Sequence, residues 1–195
     1  MAKRRLDVKE RSDRELVEGS LKGKLFFRET LYKRYFSYAM SVALRYTINR
    51  DEAMEVVNDS FLKVLDKLDS YDTAKKFKNW YGRIIINTSI DRYRRRKTDE
   101  TIMNIETESI DSIKAPEIED NLSVDDILDL FSFLPEIYKL TFNLYEIEGY
   151  DHNEIGRILG QSPSTSRSNL TRAKKMLRQL YNKKLNSAGN NNEAV

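Results

Sequence analysis

The stretch DHNEIGRILGQSPSTSRSNLTRAKKML, residues 151–177, decides how this chain is read. Asp151 is suited to cap a short helix over His152–Leu159, whose inward residues are Ile155, Ile158 and Leu159, and Gly160 ends that helix. Ser162-Pro163 then opens another helix at once, a side-chain cap followed by proline at the first position. A short helix, a tight Gly-centred turn and a longer helix make the helix-turn-helix layout. On the second helix Ser166, Leu170, Ala173 and Leu177 are expected to face inward. Ser164, Thr165, Arg167, Ser168, Thr171, Arg172 and Lys175 are expected to face out. Short hydroxyl side chains and arginines are the types that reach base edges and phosphates. Periodicity alone leaves a helical hairpin with a solvated basic face as the alternative.

Upstream, Leu134-Pro135-Glu136 predicts a helix running through Tyr138, Leu140, Thr141 and Leu144 to near Gly149. The pattern Val124, Ile127, Leu128, Phe131 precedes it from Ser123 on. Residues 98–122 (TDETIMNIETESIDSIKAPEIEDNL) lack a sustained period and read as a flexible acidic linker. Before the linker, Ala53, Val56, Val57, Phe61, Val64, Leu65 and Leu68 form one apolar stripe on a helix over 51–68. Phe26–Ile48 reads as another helix, and after a polar break at 70–78 Trp80–Arg95 resumes the pattern. The expectation is an all-α chain of two small helical domains: a bundle at 10–97 and a helix-turn-helix domain at 123–184, joined by the linker 98–122.

Composition narrows the function. The 195 residues include no Cys, which excludes disulfides, thiolate metal sites and a cysteine nucleophile. No stretch approaches the roughly 18 apolar residues that span a bilayer, and MAKRRLDVKERSDRE lacks the apolar run of a signal peptide. A cytoplasmic protein without membrane insertion is expected. The formal net charge of +3 hides a pattern. Residues 1–97 hold 24 Lys/Arg against 14 Asp/Glu, and 98–129 hold 11 acids and one base. Residues 155–192 hold eight bases and no acid. Two basic blocks around an acidic segment suggest two contacts with a polyanion.

At this point the residues resemble a known family. EVVNDSFLKVLDKLDSYD (55–72), FKNWYGRIIINTSIDRYRRRK (77–97) and LPEIYKLTFNLYEIEGYDHNEIGRILGQSPSTSRSNLTRAKKML (134–177) look like regions 2 and 4 of extracytoplasmic-function sigma factors, small bacterial initiation factors of RNA polymerase. Order, spacing and linker match over about residues 10–181. The resemblance implies core RNA polymerase and promoter DNA as partners, with an anti-sigma factor as a further possible one. It implies polymerase docking through Glu52, Glu55, Asn58 and Asp59. It places a flipped −10 base at the loop Ser70–Phe77, with Tyr71 and Phe77 lining its pocket. Asn87 and Asp91 would face the −10 DNA, with Arg92, Arg94, Arg95, Arg96 and Lys97 on its phosphates. The recognition helix would read the −35 element. Ser166 and Asn169 depart from the family's usual residues, an apolar side chain and an arginine, which leaves promoter preference open.

Other features have blander readings. Trp80 and the Tyr and Phe residues of 26–46 fall at helical spacing and read as core rather than stacking platforms. His152, the single histidine, reads as a solvent-facing first-turn residue. Glu117, Glu119, Asp120, Asp125 and Asp126 read as a solvated tether rather than a two-metal nuclease site. With no phosphate loop, nucleophile–base pair or zinc pattern, neither catalysis nor a metal or other cofactor is expected. Two competing functions remain: a polymerase-independent helix-turn-helix regulator, and a nucleic-acid enzyme using the acidic segment.

Overall fold

The computed structural model describes residues 11–102 and 130–191, and among these every regular element is helical. The elements are α1 (Asp13–Leu21), α2 (Leu25–Ala43), α3 (Arg50–Lys67), a 3-10 turn (Leu68–Ser70), α4 (Phe77–Ile102), α5 (Glu136–Phe142), α6 (His152–Leu159) and α7 (Pro163–Asn191). The all-α expectation holds. The pattern Val124, Ile127, Leu128 and most of the acidic linker, including the five acids considered as a metal site, lie outside the described residues.

The chain forms two compact units. The first takes the described residues up to Leu44 together with Arg50–Asp91. Here α1 packs on α2 and α2 on α3. Ser12 starts α1 with a capping box: its hydroxyl accepts from Glu15 N at 3.2 Å, and its own N–H donates to Glu15 Oε2 at 2.7 Å. Gly19 lets the α2 ring of Phe27 lie against α1, since a Cβ at this position would come within 2.2 Å of that ring. The apolar stripe of α3 is buried as the periodicity expects, through Ala53, Val56, Val57, Phe61 and Val64, and Leu68 of the 3-10 turn continues it. It meets Leu31, Tyr35 and Ala39 of α2 and Phe77, Tyr81 and Ile85 of α4 in a core rich in rings.

Arg45–Asn49 belongs with the second unit, which also takes the described residues from Arg92 onward. The predicted helix 26–48 therefore ends early, at Ala43, and the segment after it turns. Polar bonds explain the turn. Lys139 Nζ donates to the Thr47 carbonyl at 2.9 Å, and Asn143 Nδ2 donates to the Arg45 carbonyl at 2.6 Å. Tyr46, buried, donates to Glu148 Oε1 at 3.1 Å. Burial first, and then the Glu148 charge, hold the Tyr46 phenol well above its ordinary pKa. Backbone groups of this turn are thus satisfied by long polar side chains of α5 and its continuation. After Phe142 the helix widens into a π-helical turn, Asn143–Ile147, before Gly149 breaks it at φ 78°. α5 and α6 both pack on α7.

Candidate nucleic-acid interface

The helix-turn-helix forms as the sequence expects, and its bonds say why. Asp151 Oδ1 accepts from Asn153 N at 2.7 Å and Glu154 N at 2.8 Å, while Glu154 Oε2 accepts from Asp151 N at 2.8 Å. This capping box starts α6, and Gly160 ends it in the left-handed region at φ 64°. Ser162 Oγ accepts from Thr165 N at 3.1 Å to start α7. One residue the periodicity missed is Gly156. A Cβ there would stand 2.7 Å from the Gln161 carbonyl oxygen, so only glycine admits this close approach of the turn. Gln161 N closes the turn by donating to the Gly156 carbonyl at 2.9 Å.

On α7, Ser166, Leu170 and Ala173 are buried and Leu177 is half-buried. Ser164, Thr165, Arg167, Ser168, Thr171, Arg172 and Lys175 are all exposed, on the face the sequence assigns to them. Asn169 is buried, with its Nδ2 donating to Gln161 Oε1 at 3.0 Å. It braces the turn rather than facing out. His152 departs from the expected solvent-facing position. It is half-buried, stacks on Tyr145 at 4.6 Å between ring centroids, and places Nδ1 3.0 Å from Ser166 Oγ. A polar residue at 166 thus has a partner in the preceding helix, which accounts for a buried hydroxyl where an apolar side chain is usual.

The first unit carries the other candidate residues. Glu55, Asn58 and Asp59 are exposed along α3, with Asn58 Oδ1 accepting from Tyr32 OH at 2.8 Å. Glu52 is not part of that open face: it is 8% exposed. Its place in the first turn suits a carboxylate for another reason, the positive end of the helix dipole. In the 70–77 loop, Tyr71 OH donates to the Lys75 carbonyl and Asp72 Oδ1 accepts from Ala74 N at 3.0 Å, which closes the loop on itself. Phe77 is 1% exposed, enclosed by the rings of Tyr35, Tyr71, Trp80 and Tyr81, so it is core rather than pocket wall. The expected lining role fails for Phe77 because its apolar ring gains more from burial than a loop end can offer. Tyr71 stays half-exposed, and Trp80, read from the sequence as core, is half-exposed beside it with ring centroids 4.9 Å apart. The two rings form an aromatic surface at the loop.

Farther along α4, Asn87 is exposed one helical turn before half-buried Asp91, whose Oδ2 pairs with Lys63 Nζ at 3.4 Å. The arginines that follow belong to the second unit and differ in their surroundings. Arg92 is half-buried and Arg95 exposed. Arg94 Nε donates to the Ile158 carbonyl at 2.7 Å, and Arg96 pairs with Glu136. α4 itself continues to Ile102, taking in the first five residues of the expected linker. Among the described residues no His, Asp or Glu group has the arrangement of a metal site, and no helix is long and apolar enough to cross a membrane.

Comparison with known proteins agrees with this layout. Residues 31–98 match the family pattern of Sigma-70 region 2 and residues 125–177 that of Sigma-70 region 4. The RNA polymerase sigma factor SigV of Bacillus subtilis is 28% identical over 137 residues, 70% of this chain and 80% of that protein. The ECF RNA polymerase sigma-E factor of Escherichia coli K12 is 29% identical over 177 residues, covering 85% of this chain and 92% of its own length. Among solved structures, the sigma factor RpoE in complex with the anti-sigma factor NepR from Bartonella quintana aligns at 20% identity. That alignment covers 84% of this chain and 98% of RpoE with a TM-score of 0.47. Both regions occur in sigma-factor order along one chain, and relatives match across most of their length, so the protein belongs to the extracytoplasmic-function sigma factors.

Proposed function

We propose that the chain divides promoter recognition between its two ends, with residues 10–97 engaging core polymerase and the −10 element and residues 123–184 reading the −35 element. As a sigma factor it directs core RNA polymerase to promoters. The observation that carries the division is the exposed face of α7: seven hydrogen-bonding or basic side chains on one surface, behind a turn built as a helix-turn-helix. Such a helix enters the major groove with its N-terminal residues at base edges. In the −10 half, Glu55, Asn58 and Asp59 present polar groups for polymerase docking. Tyr71 with Trp80 offers the stacking surface for an unpaired base. Asn87 and Asp91 face the strand, and Arg92 and Arg95 supply positive charge for its phosphates. Arg94 and Arg96 join them once released from the Ile158 carbonyl and Glu136.

The chain acts by binding, not catalysis, in the bacterial cytoplasm. An anti-sigma partner of the kind bound to the Bartonella RpoE is a further expected contact. Run-off transcription with purified core polymerase tests the whole reading. Promoter-specific transcripts should depend on this chain. Specific duplex binding without polymerase, and no transcript with it, would replace this reading by that of a free-standing helix-turn-helix regulator.

A further inference from the structure

We infer that His152 and Gln161 are positioning residues for promoter reading: they fix the rotation of α7 about its own axis and so aim the side chains that face the −35 element. The inference rests on the −35 reading proposed above. Two polar side chains of α7, Ser166 at 0% and Asn169 at 5% exposed, are buried one helical turn apart. Each is held by one hydrogen bond from outside the helix. His152 Nδ1 stands 3.0 Å from Ser166 Oγ, and Asn169 Nδ2 donates to Gln161 Oε1 at 3.0 Å. Between them in sequence stand Arg167 and Ser168, both exposed. The two anchors therefore bracket, from the inner side, two of the residues assigned to the groove.

Apolar burial holds a helix against its neighbours but is non-directional, so it constrains rotation weakly. Hydrogen bonds are directional and work within a narrow span of distance. A helix with its side chains is about 10–12 Å across, so a rotation of about 10° carries a side-chain tip about 1 Å. Base-edge hydrogen bonds tolerate only about 0.5 Å, and such a rotation is enough to lose one. Each anchor is itself held. The His152 ring stacks on Tyr145 with 4.6 Å between centroids and 20° between planes. The Gln161 backbone N–H donates to the Gly156 carbonyl at 2.9 Å. Stability alone does not account for the second pair. Gln161 Nε2 is buried without a hydrogen-bond partner among the described residues, a cost that an apolar side chain there would avoid. Placement of α7 does account for it.

Promoter binding by the holoenzyme, the full chain with core RNA polymerase, tests the inference on duplexes carrying each single −35 substitution in a promoter it transcribes. Two double variants each remove one pair and leave apolar groups of similar shape. His152→Phe with Ser166→Ala keeps a ring to stack on Tyr145; Gln161→Leu with Asn169→Leu replaces both amides. Such paired replacement is close to neutral for stability, so the denaturant midpoint should hold. Preference between the best and worst −35 bases should fall about tenfold in each, the loss of one aligned base contact. The salt slope should stay at the wild-type value, since no phosphate-binding cation is removed. His152→Asn, with a hydrogen-bonding group in place of Nδ1, should keep most of the preference that His152→Phe alone loses. Unchanged preference in one double variant overturns the role of that pair, and in both it overturns the inference. A uniform loss of affinity for all −35 sequences with a lowered midpoint also overturns it, leaving the pairs structural only. A wild-type holoenzyme indifferent to every −35 substitution would overturn the −35 reading and this inference with it. That failure shows in the wild type before any variant is made, which separates it from the others.

Discussion

Tyr71 and Phe77 touch within one aromatic cluster, yet their exposures assign them different work. Phe77 is fully enclosed, so Phe77→Ala should cost about 3–5 kcal/mol of stability, read as a large drop in the denaturant midpoint. Tyr71→Ala removes a half-exposed ring and should leave the fold largely intact. Its effect should fall on promoter opening: permanganate reactivity of unpaired thymines should appear more slowly, with initial promoter binding near normal. On α3, Glu55→Lys with Asp59→Lys should weaken binding to core polymerase without loss of helix content by circular dichroism, since both carboxylates are exposed. Unchanged affinity would remove that face from the interface. On α7, Arg167 lies nearer the helix start than Arg172, and the five-residue interval points them in different directions. Arg167→Ala should cost roughly 1–3 kcal/mol and relax preference at one −35 position. Arg172→Ala should weaken all −35 sequences alike and lower the salt slope by about one unit. A uniform loss from Arg167→Ala would reassign that residue to the backbone.

At the scale of elements, the turn between α6 and α7 leaves little room for change. Gly160 supplies the left-handed residue, but Gly156 sets the distance between helix and turn, because its missing Cβ leaves room for the Gln161 carbonyl. Gly156→Ala should push the turn outward and cost about 1–3 kcal/mol, as overpacking does. Its signature should be loss of −35 duplex binding, measured by fluorescence anisotropy, with polymerase binding through the first unit retained. Asn169 reinforces the same turn from the other side through Gln161. Its burial keeps it out of the exposed set proposed to read the −35 element. The three successive arginines of α4 also differ as elements of structure: Arg95 is exposed, while Arg94 holds helix carbonyls and Arg96 holds Glu136.

Across the whole molecule, buried tyrosines make stability sensitive to alkali. Burial is the main cause for Tyr35, Tyr46 and Tyr81, each of which holds its proton above the ordinary value near 10. Tyr81 is pushed up to about 12. For Tyr35 the hydrogen bond its O–H donates to the Asp13 carboxylate adds to burial, and for Tyr46 the Glu148 carboxylate does. In the unfolded chain these phenols ionise near their ordinary value, so the folded state gives up stability only above it. The unfolding free energy from denaturant titrations should therefore hold level to about pH 9 and fall from pH 10 upward, by roughly 1.4 kcal/mol per pH unit for each tyrosine still protonated when folded, with the midpoint falling alongside it. A level midpoint through pH 12 would contradict this account.

What the sequence determined by itself was whatever repeats along a helix or caps its end. The stripe Ala53–Leu68, the Asp151 and Ser162 caps and the outward set on α7 are local patterns, set by helical period and by the orphan N–H groups of a first turn. What only the tertiary structure decided concerns side chains whose environment is supplied by distant residues. Glu52 and Phe77 carry the polarity or position of a surface site and are buried. Trp80 carries the character of core and is half-exposed. His152 finds its partners in Tyr145 and Ser166, and Lys139 in a carbonyl 92 residues earlier in the chain. Periodicity says which face of a helix turns inward, but only the packed chain says what covers that face, because burial is a property of neighbours rather than of spacing.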